Sequence, residues 1–184
     1  PFLFKKGTQG SSQSIKEKPV WDILADYGGQ SCLVSVPPSY PPRAVAGNLI
    51  SCFITPGSEK EYTYPQGLRQ EIESKFGSYI FDVEFRTDEK DKLLDGIYKM
   101  TEKRFEVLNY LMTHKPWDLF MFVEIGVDRV HHAFWKFMDR SHHLYLPGNP
   151  YENVIIDYYK YLDRKIGDLL SSTDKNTIVM VVSD

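Results

Sequence analysis

The sequence predicts an α/β fold, a mostly parallel sheet with helices on both faces, on two observations. Nearly continuous apolar runs of strand length alternate with amphipathic segments of helical period. Two of those runs, "LFMFVEIGV" and "TIVMVVSD", give way to a carboxylate, Asp128 and Asp184. In open α/β sheets the ligand sits outside the carboxyl ends of the strands, so both acids belong to the edge where chemistry is done. Apolar strands without polar alternation are covered on both sides, and parallel neighbours need right-handed helical crossovers.

The elements follow in order. Residues 1 to 18 are polar and Gly/Ser-rich, an irregular lead-in. "KPVWDILADYG" predicts a short helix with Pro19 near its first turn, Val20, Ile23 and Leu24 on one face, and Gly28 at its stop. "SCLVSVP" is a strand near 31–36, closed by Pro37 and Pro38. A proline-rich loop, "PPSYPPRAVAGN", leads to "LISCFITPG", a second short strand or extended segment. Leu68, Ile72 and Phe76, spaced at four, predict a helix over 65–77 that stops at Gly77. A longer helix fills 88–113, opened by Thr87 and acidic residues in its first turn. A strand at 119–127, a short helix at 128–138, a longer helix at 151–172 and a last strand at 177–182 complete the pattern.

Composition narrows the function classes. With 184 residues, 42% hydrophobic and 26% charged, the chain makes one globular domain with a sizeable core. A net charge of −3 without a dense basic run argues against nucleic acid as a partner. No apolar run approaches the roughly 20 residues of a membrane span, and "PFLFKKGTQG" lacks the layout of a secretory signal. Cys32 and Cys52 lie in apolar runs, which suits buried reduced thiols and a cytoplasmic location. The chain starts at Pro1 without a Met and stops just after an expected buried strand, so both ends are expected to be cut from a longer protein.

In Asp128-x-x-x-His132 the acid leaves the strand and the histidine follows one helical turn later, so both can converge on one point. Carboxylate oxygen and imidazole nitrogen together suit a divalent metal. The plain alternative is a helix cap beside a partly exposed histidine. Asp184 offers a carboxylate for a second ion in a site where two ions lie roughly 4 Å apart. Around this pair, Arg129 meets either a phosphate or a neighbouring carboxylate, and Glu124 shares the strand parity of Asp128 but more simply serves an Arg or a backbone N–H. His131 is one residue off the ligand face, His142 and His143 suit a turn, the tyrosines of "DYYKYLD" suit a packed helix face, and Arg43 stays unassigned.

"VEIGVDRVHHAFWKFMDRSHHLY", "GNPYENVIIDYYKYLDRKIGDLL" and the terminal "VVSD" resemble the alkaline phosphatase superfamily, in its type I phosphodiesterase and nucleotide pyrophosphatase branch. "KPVWDILADYG" followed by "VPPSYPPRAVAGNLISCFITPG" resembles the segment just after that branch's nucleophile. The likeness runs from about residue 17 to the last. It implies that residues 1–184 are a partial alkaline phosphatase-like catalytic domain, lacking flanking segments at both ends. It also implies two divalent metal ions, zinc in the first place with manganese or iron as alternatives, and a small phosphorylated or nucleotide substrate. Asp128 and His132 match the ligand pair of one ion, and Asp184 matches a ligand of the other. The nucleophile is expected upstream of residue 1, and the remaining ligands have no counterpart here, so the chain by itself is expected to be inactive. Phosphomutases and sulfatases reuse the same constellation, and a non-catalytic α/β binding module is the alternative from a different class.

Overall fold

A computed structural model describes residues 10–183. After a 3-10 turn at Ser12–Ser14 come α1 (Val20–Asp26), β1 (Ser31–Val34), β2 (Gly47–Ile50), β3 (Thr63–Tyr64), α2 (Gly67–Phe76), α3 (Lys90–His114), β4 (Leu119–Phe122), α4 (Gly126–Met138) and α5 (Val154–Leu170). The fold is α/β, as expected, with a four-stranded sheet in the order β3-β2-β1-β4. β1 runs parallel to both of its neighbours, and short β3 is antiparallel to β2.

Strand β1 is buried throughout and its side chains alternate between two apolar layers. Cys32 and Val34 join a large core with Ile50 and residues of α2 to α5, while Leu33 joins Leu49, Val36 and Trp21 in a small layer towards α1. The close approach of β1 and β2 demands glycine at one point: Gly47 has φ +127°, and a Cβ there would stand 2.1 Å from the Ser31 carbonyl oxygen. In α1 the face turned to the sheet carries Trp21, whereas of Val20, Ile23 and Leu24, expected on one face, Val20 and Ile23 are exposed and Leu24 is half-buried. The apolar spacing is right for a helix, but the large indole takes the contact.

One expected strand is absent. Residues 177–183 form no strand among the described residues, and Ile178, Met180, Val181 and Val182 are each more than four-fifths exposed. Strand character depends on a partner ladder and on packing more than on residue type, and here the run of β-branched residues has neither. The expected parallel pairing of 31–36 with 119–127 is present, though trimmed to Ser31–Val34 against Leu119–Phe122. No helix among the described residues is long and apolar enough to cross a membrane.

A buried ion pair organises the large core. Arg104 of α3, fully buried, donates from Nη1 to Glu124 Oε1 at 2.9 Å and from Nε to the Tyr79 hydroxyl at 3.3 Å. The same carboxylate oxygen accepts the Gly126 N–H at 2.7 Å and the Tyr158 hydroxyl of α5 at 3.3 Å, and that hydroxyl lies 2.8 Å from Thr101 Oγ1. Burial opposes the guanidinium charge, but Glu124 and then Tyr79 outweigh it and hold the Arg104 pKa above its usual value. A Cβ on Gly126 would stand 2.0 Å from the Tyr158 hydroxyl and 2.7 Å from Glu124 Oε1, so only glycine lets α4 begin here.

Two outcomes follow from this packing. Removing one partner strands a buried charge, so Arg104→Ala costs about 3–5 kcal/mol in urea unfolding. Gly126→Ala is also destabilising, and Tyr158→Phe, which clears the nearest atom, recovers part of that loss in a double-mutant cycle; strict additivity would refute the contact. Cys32 and Cys52 are buried free thiols, as expected. Burial pushes the Cys32 thiol from 9.0 up to about 12, against a smaller opposing effect of Lys115. Between those pH values the folded chain keeps a proton that the unfolded chain has lost, so stability falls as pH rises, by up to about 1.4 kcal/mol per unit. A Cys32→Val variant loses that share of the slope, measured by urea titration across the window.

Candidate metal centre

Helix α4 starts at Gly126, two residues earlier than the sequence pattern suggests, so Asp128 stands in its first turn and not on the strand. A carboxylate is favoured there by the unsatisfied N–H groups of the helix start. His132 follows one turn later, and its Nε2 lies 3.3 Å from Asp128 Oδ1. Both side chains reach solvent, with 61% of the histidine and 43% of the aspartate exposed, while the opposite face of α4 is anchored by Val130, Ala133 and Phe134.

The second carboxylate oxygen of Asp128 accepts from Arg129 Nη1. Arg129 is nearly buried and is itself gripped by Asp82, with Nε 2.6 Å from Oδ1 and Nη2 bonded to Oδ2. Its guanidinium lies over the Phe85 ring at 4.2 Å and near Phe53 at 5.5 Å, and a further neighbour of Phe85 is the His132 ring at 5.6 Å. Burial opposes the Arg129 charge, but the hydrogen bonds and charge of Asp82, followed by Asp128, hold its pKa above the ordinary value. Arg129 is therefore the partner of two carboxylates.

These groups fit a divalent ion along one edge. A tetrahedral ion with donor distances of about 2.0–2.2 Å places neighbouring donors about 3.3–3.5 Å apart, which matches the spacing of Oδ1 and Nε2. Arg129 occupies Oδ2 and leaves Oδ1 for the ion. No group of three or more His, Cys, Asp or Glu that could hold a metal assembles among the described residues, so Asp128 and His132 stand here as a pair of candidate donors. Asp184, expected to serve a second ion, lies outside the described residues.

The neighbouring residues resolve as structural. Glu124 serves Arg104 and the Gly126 N–H. His131 packs against Trp135 and Tyr159, each at 5.7 Å, and His142 accepts the Leu144 N–H within a turn. Tyr158 is core and Tyr161 is partly buried, but Tyr159 is 46% exposed, a correction to the packed tyrosine face. Asp82 and Phe85 were not foreseen. The alternating run "FDVEFR" is their sole local signal, and nothing in it points 47 residues ahead to Arg129.

A family model described as type I phosphodiesterase / nucleotide pyrophosphatase matches residues 3–184. The chain belongs to that family. No curated protein and no solved structure matches it significantly. Within this phosphodiesterase-family chain, Asp82 acts on the half-site only through Arg129, so Asp82→Asn should weaken divalent-ion binding about 10- to 100-fold. Calorimetric titration with zinc is the measurement, and unchanged affinity would show that Arg129 holds Asp128 unaided.

Proposed function

We propose that the protein carrying this chain hydrolyses phosphodiester or nucleotide pyrophosphate bonds with the help of divalent metal ions. The observation that carries this reading is the pair Asp128 Oδ1 and His132 Nε2, set 3.3 Å apart on the solvent face of α4, in a chain of the type I phosphodiesterase family. Zinc suits this oxygen and nitrogen set, with manganese or iron as alternatives. When bound, such ions supply Lewis-acid neutralisation of charge on the phosphoryl group.

The chain's own residues do the positioning. Asp128 and His132 would hold one ion along their shared edge. Arg129 fixes the carboxylate by taking its second oxygen, Asp82 fixes Arg129, and Phe85 keeps the imidazole ring from turning away. Asp184 is proposed as a ligand of a second ion, as the family resemblance implies. The nucleophile is not assigned to any residue of this chain. A phosphomutase or sulfatase would use the same half-site, and the family match favours the diesterase. The two buried thiols are in keeping with a reducing, cytoplasmic setting.

In the full protein, Asp128→Ala and His132→Ala should each lower kcat/KM towards bis(4-nitrophenyl) phosphate by at least about 100-fold at fixed zinc or manganese. Chelator treatment should remove the activity and metal should restore it. Unimpaired turnover by His132→Ala would remove the ligand assignment.

A further inference from the structure

Next to the half-site lies a cleft of about 290 Å³ lined by Phe85, Arg86, Thr87, Asp88, Lys90 and His132. His132 is thus a wall shared by the cleft and the candidate metal edge. Of the charged residues in its lining, two are cations, Arg86 and Lys90, against one carboxylate, Asp88. Arg86 makes no ion pair among the described residues, and its guanidinium rests 5.5 Å from the Phe85 ring centroid. Among the described residues Lys90 is the one lysine or arginine of α3 without an ion pair: Lys92 meets Glu89, Lys99 meets Asp95, Lys103 meets Glu106 and Arg104 meets Glu124. Its ammonium instead lies 5.9 Å from the Phe134 ring.

Lys90 also sits where a positive charge is disfavoured. Burial first, and then the nearby Lys136, hold its pKa below the usual lysine value, with Asp88 only partly offsetting them. Lys136 follows His132 by one helical turn, so cationic character continues along α4 away from Asp128. A solvated surface lysine needs no such arrangement. A partly buried lysine with a second lysine nearby gains when an anion enters the cleft beside it.

We propose that this cleft is a subsite in which Arg86 and Lys90 bind a second anionic group, phosphate or carboxylate, carried by the substrate beyond the phosphoryl group that is cleaved. The proposal rests on the reading of Asp128 and His132 as ligands beside that phosphoryl group. It makes the protein selective for diesters with a charged arm over diesters with a neutral one. Each charge-assisted contact is worth about a 10- to 100-fold difference in binding.

The test uses three diesters with the same 4-nitrophenolate leaving group: methyl, 2-carboxyethyl and 2-phosphoethyl 4-nitrophenyl phosphate. The full protein should prefer the charged arms in kcat/KM, and comparison of the two identifies carboxylate or phosphate as the natural group. Arg86→Gln/Lys90→Gln should lower the ratio of charged to neutral arm by about 10- to 100-fold. Lys92→Gln, exposed and outside the cleft, should leave the ratio as it is. Equal kcat/KM for all three arms in the wild type, or an equal loss on all three in the double variant, overturns the subsite. A second readout needs no turnover: chelator-treated protein is titrated with inorganic phosphate by calorimetry. There the double variant should lose about 10-fold in affinity, while Asp128→Ala, which removes hydrolysis, retains it. Equal affinity of wild type and double variant overturns the subsite even if hydrolysis is confirmed, and phosphate binding without any hydrolysis overturns only the metal reading.

Discussion

The buried pair of Arg104 and Glu124 is the constraint on which the placement of the candidate site depends. A carboxylate taken out of water must be met by charge and hydrogen bonds, and one oxygen of Glu124 collects them from several parts of the chain. Arg104 comes from α3, Tyr158 from α5, and the N–H of Gly126 from the first residue of α4. The end of β4 is thereby tied to both long helices, and α4 has one direction in which it can leave. Asp128 stands two residues beyond that fixed point. The half-site inherits its aim from core electrostatics, although neither of its side chains touches the pair.

The same reasoning explains why the second layer of contacts looks as it does. Asp128 is more exposed than Glu124 and is met by Arg129, the next residue of its own helix, which is held in turn by Asp82. Phe85 is placed between the guanidinium and the imidazole. The segment 78–87, which is neither helix nor strand, therefore supports the site from outside the sheet. Irregular backbone can do this because its anchors, Tyr79 and Phe81, are buried beside Arg104.

What was legible in the sequence was whatever is encoded by local period. The apolar runs of β1 and β4, the stripes of α2 and α3, and the turn of helix that brings Asp128 and His132 together all follow from spacing within about a dozen residues. What was not legible depends on partners distant along the chain. Arg104 reads as one more charge on a long polar helix face until Glu124, 20 residues on, is placed against it. Asp82 is silent for the same reason, and Val20 and Ile23 look buried until Trp21 takes the contact. The run 177–183 shows the converse error, because residue type alone predicts a strand and only a partner can make one.

Helix α4 joins these two kinds of information. Its buried face, with Val130, Ala133 and Phe134, is set by a periodic apolar stripe and locks the helix onto the core. Its other face carries Asp128, His132 and Lys136 at successive turns, outside the buried stripe. Core packing accounts for the first face, whereas on the second Asp128 gains from the helix start and from Arg129, and His132 from Phe85. Acid, imidazole and ammonium in a row, the first pair spaced as neighbouring donors of one ion and the imidazole lining the cleft of Arg86 and Lys90, are what the proposed anionic substrate would meet along α4. The charge then runs in the order that the proposed ligand needs, with the candidate pair Asp128 and His132 at the fixed start of the helix and the cations further along.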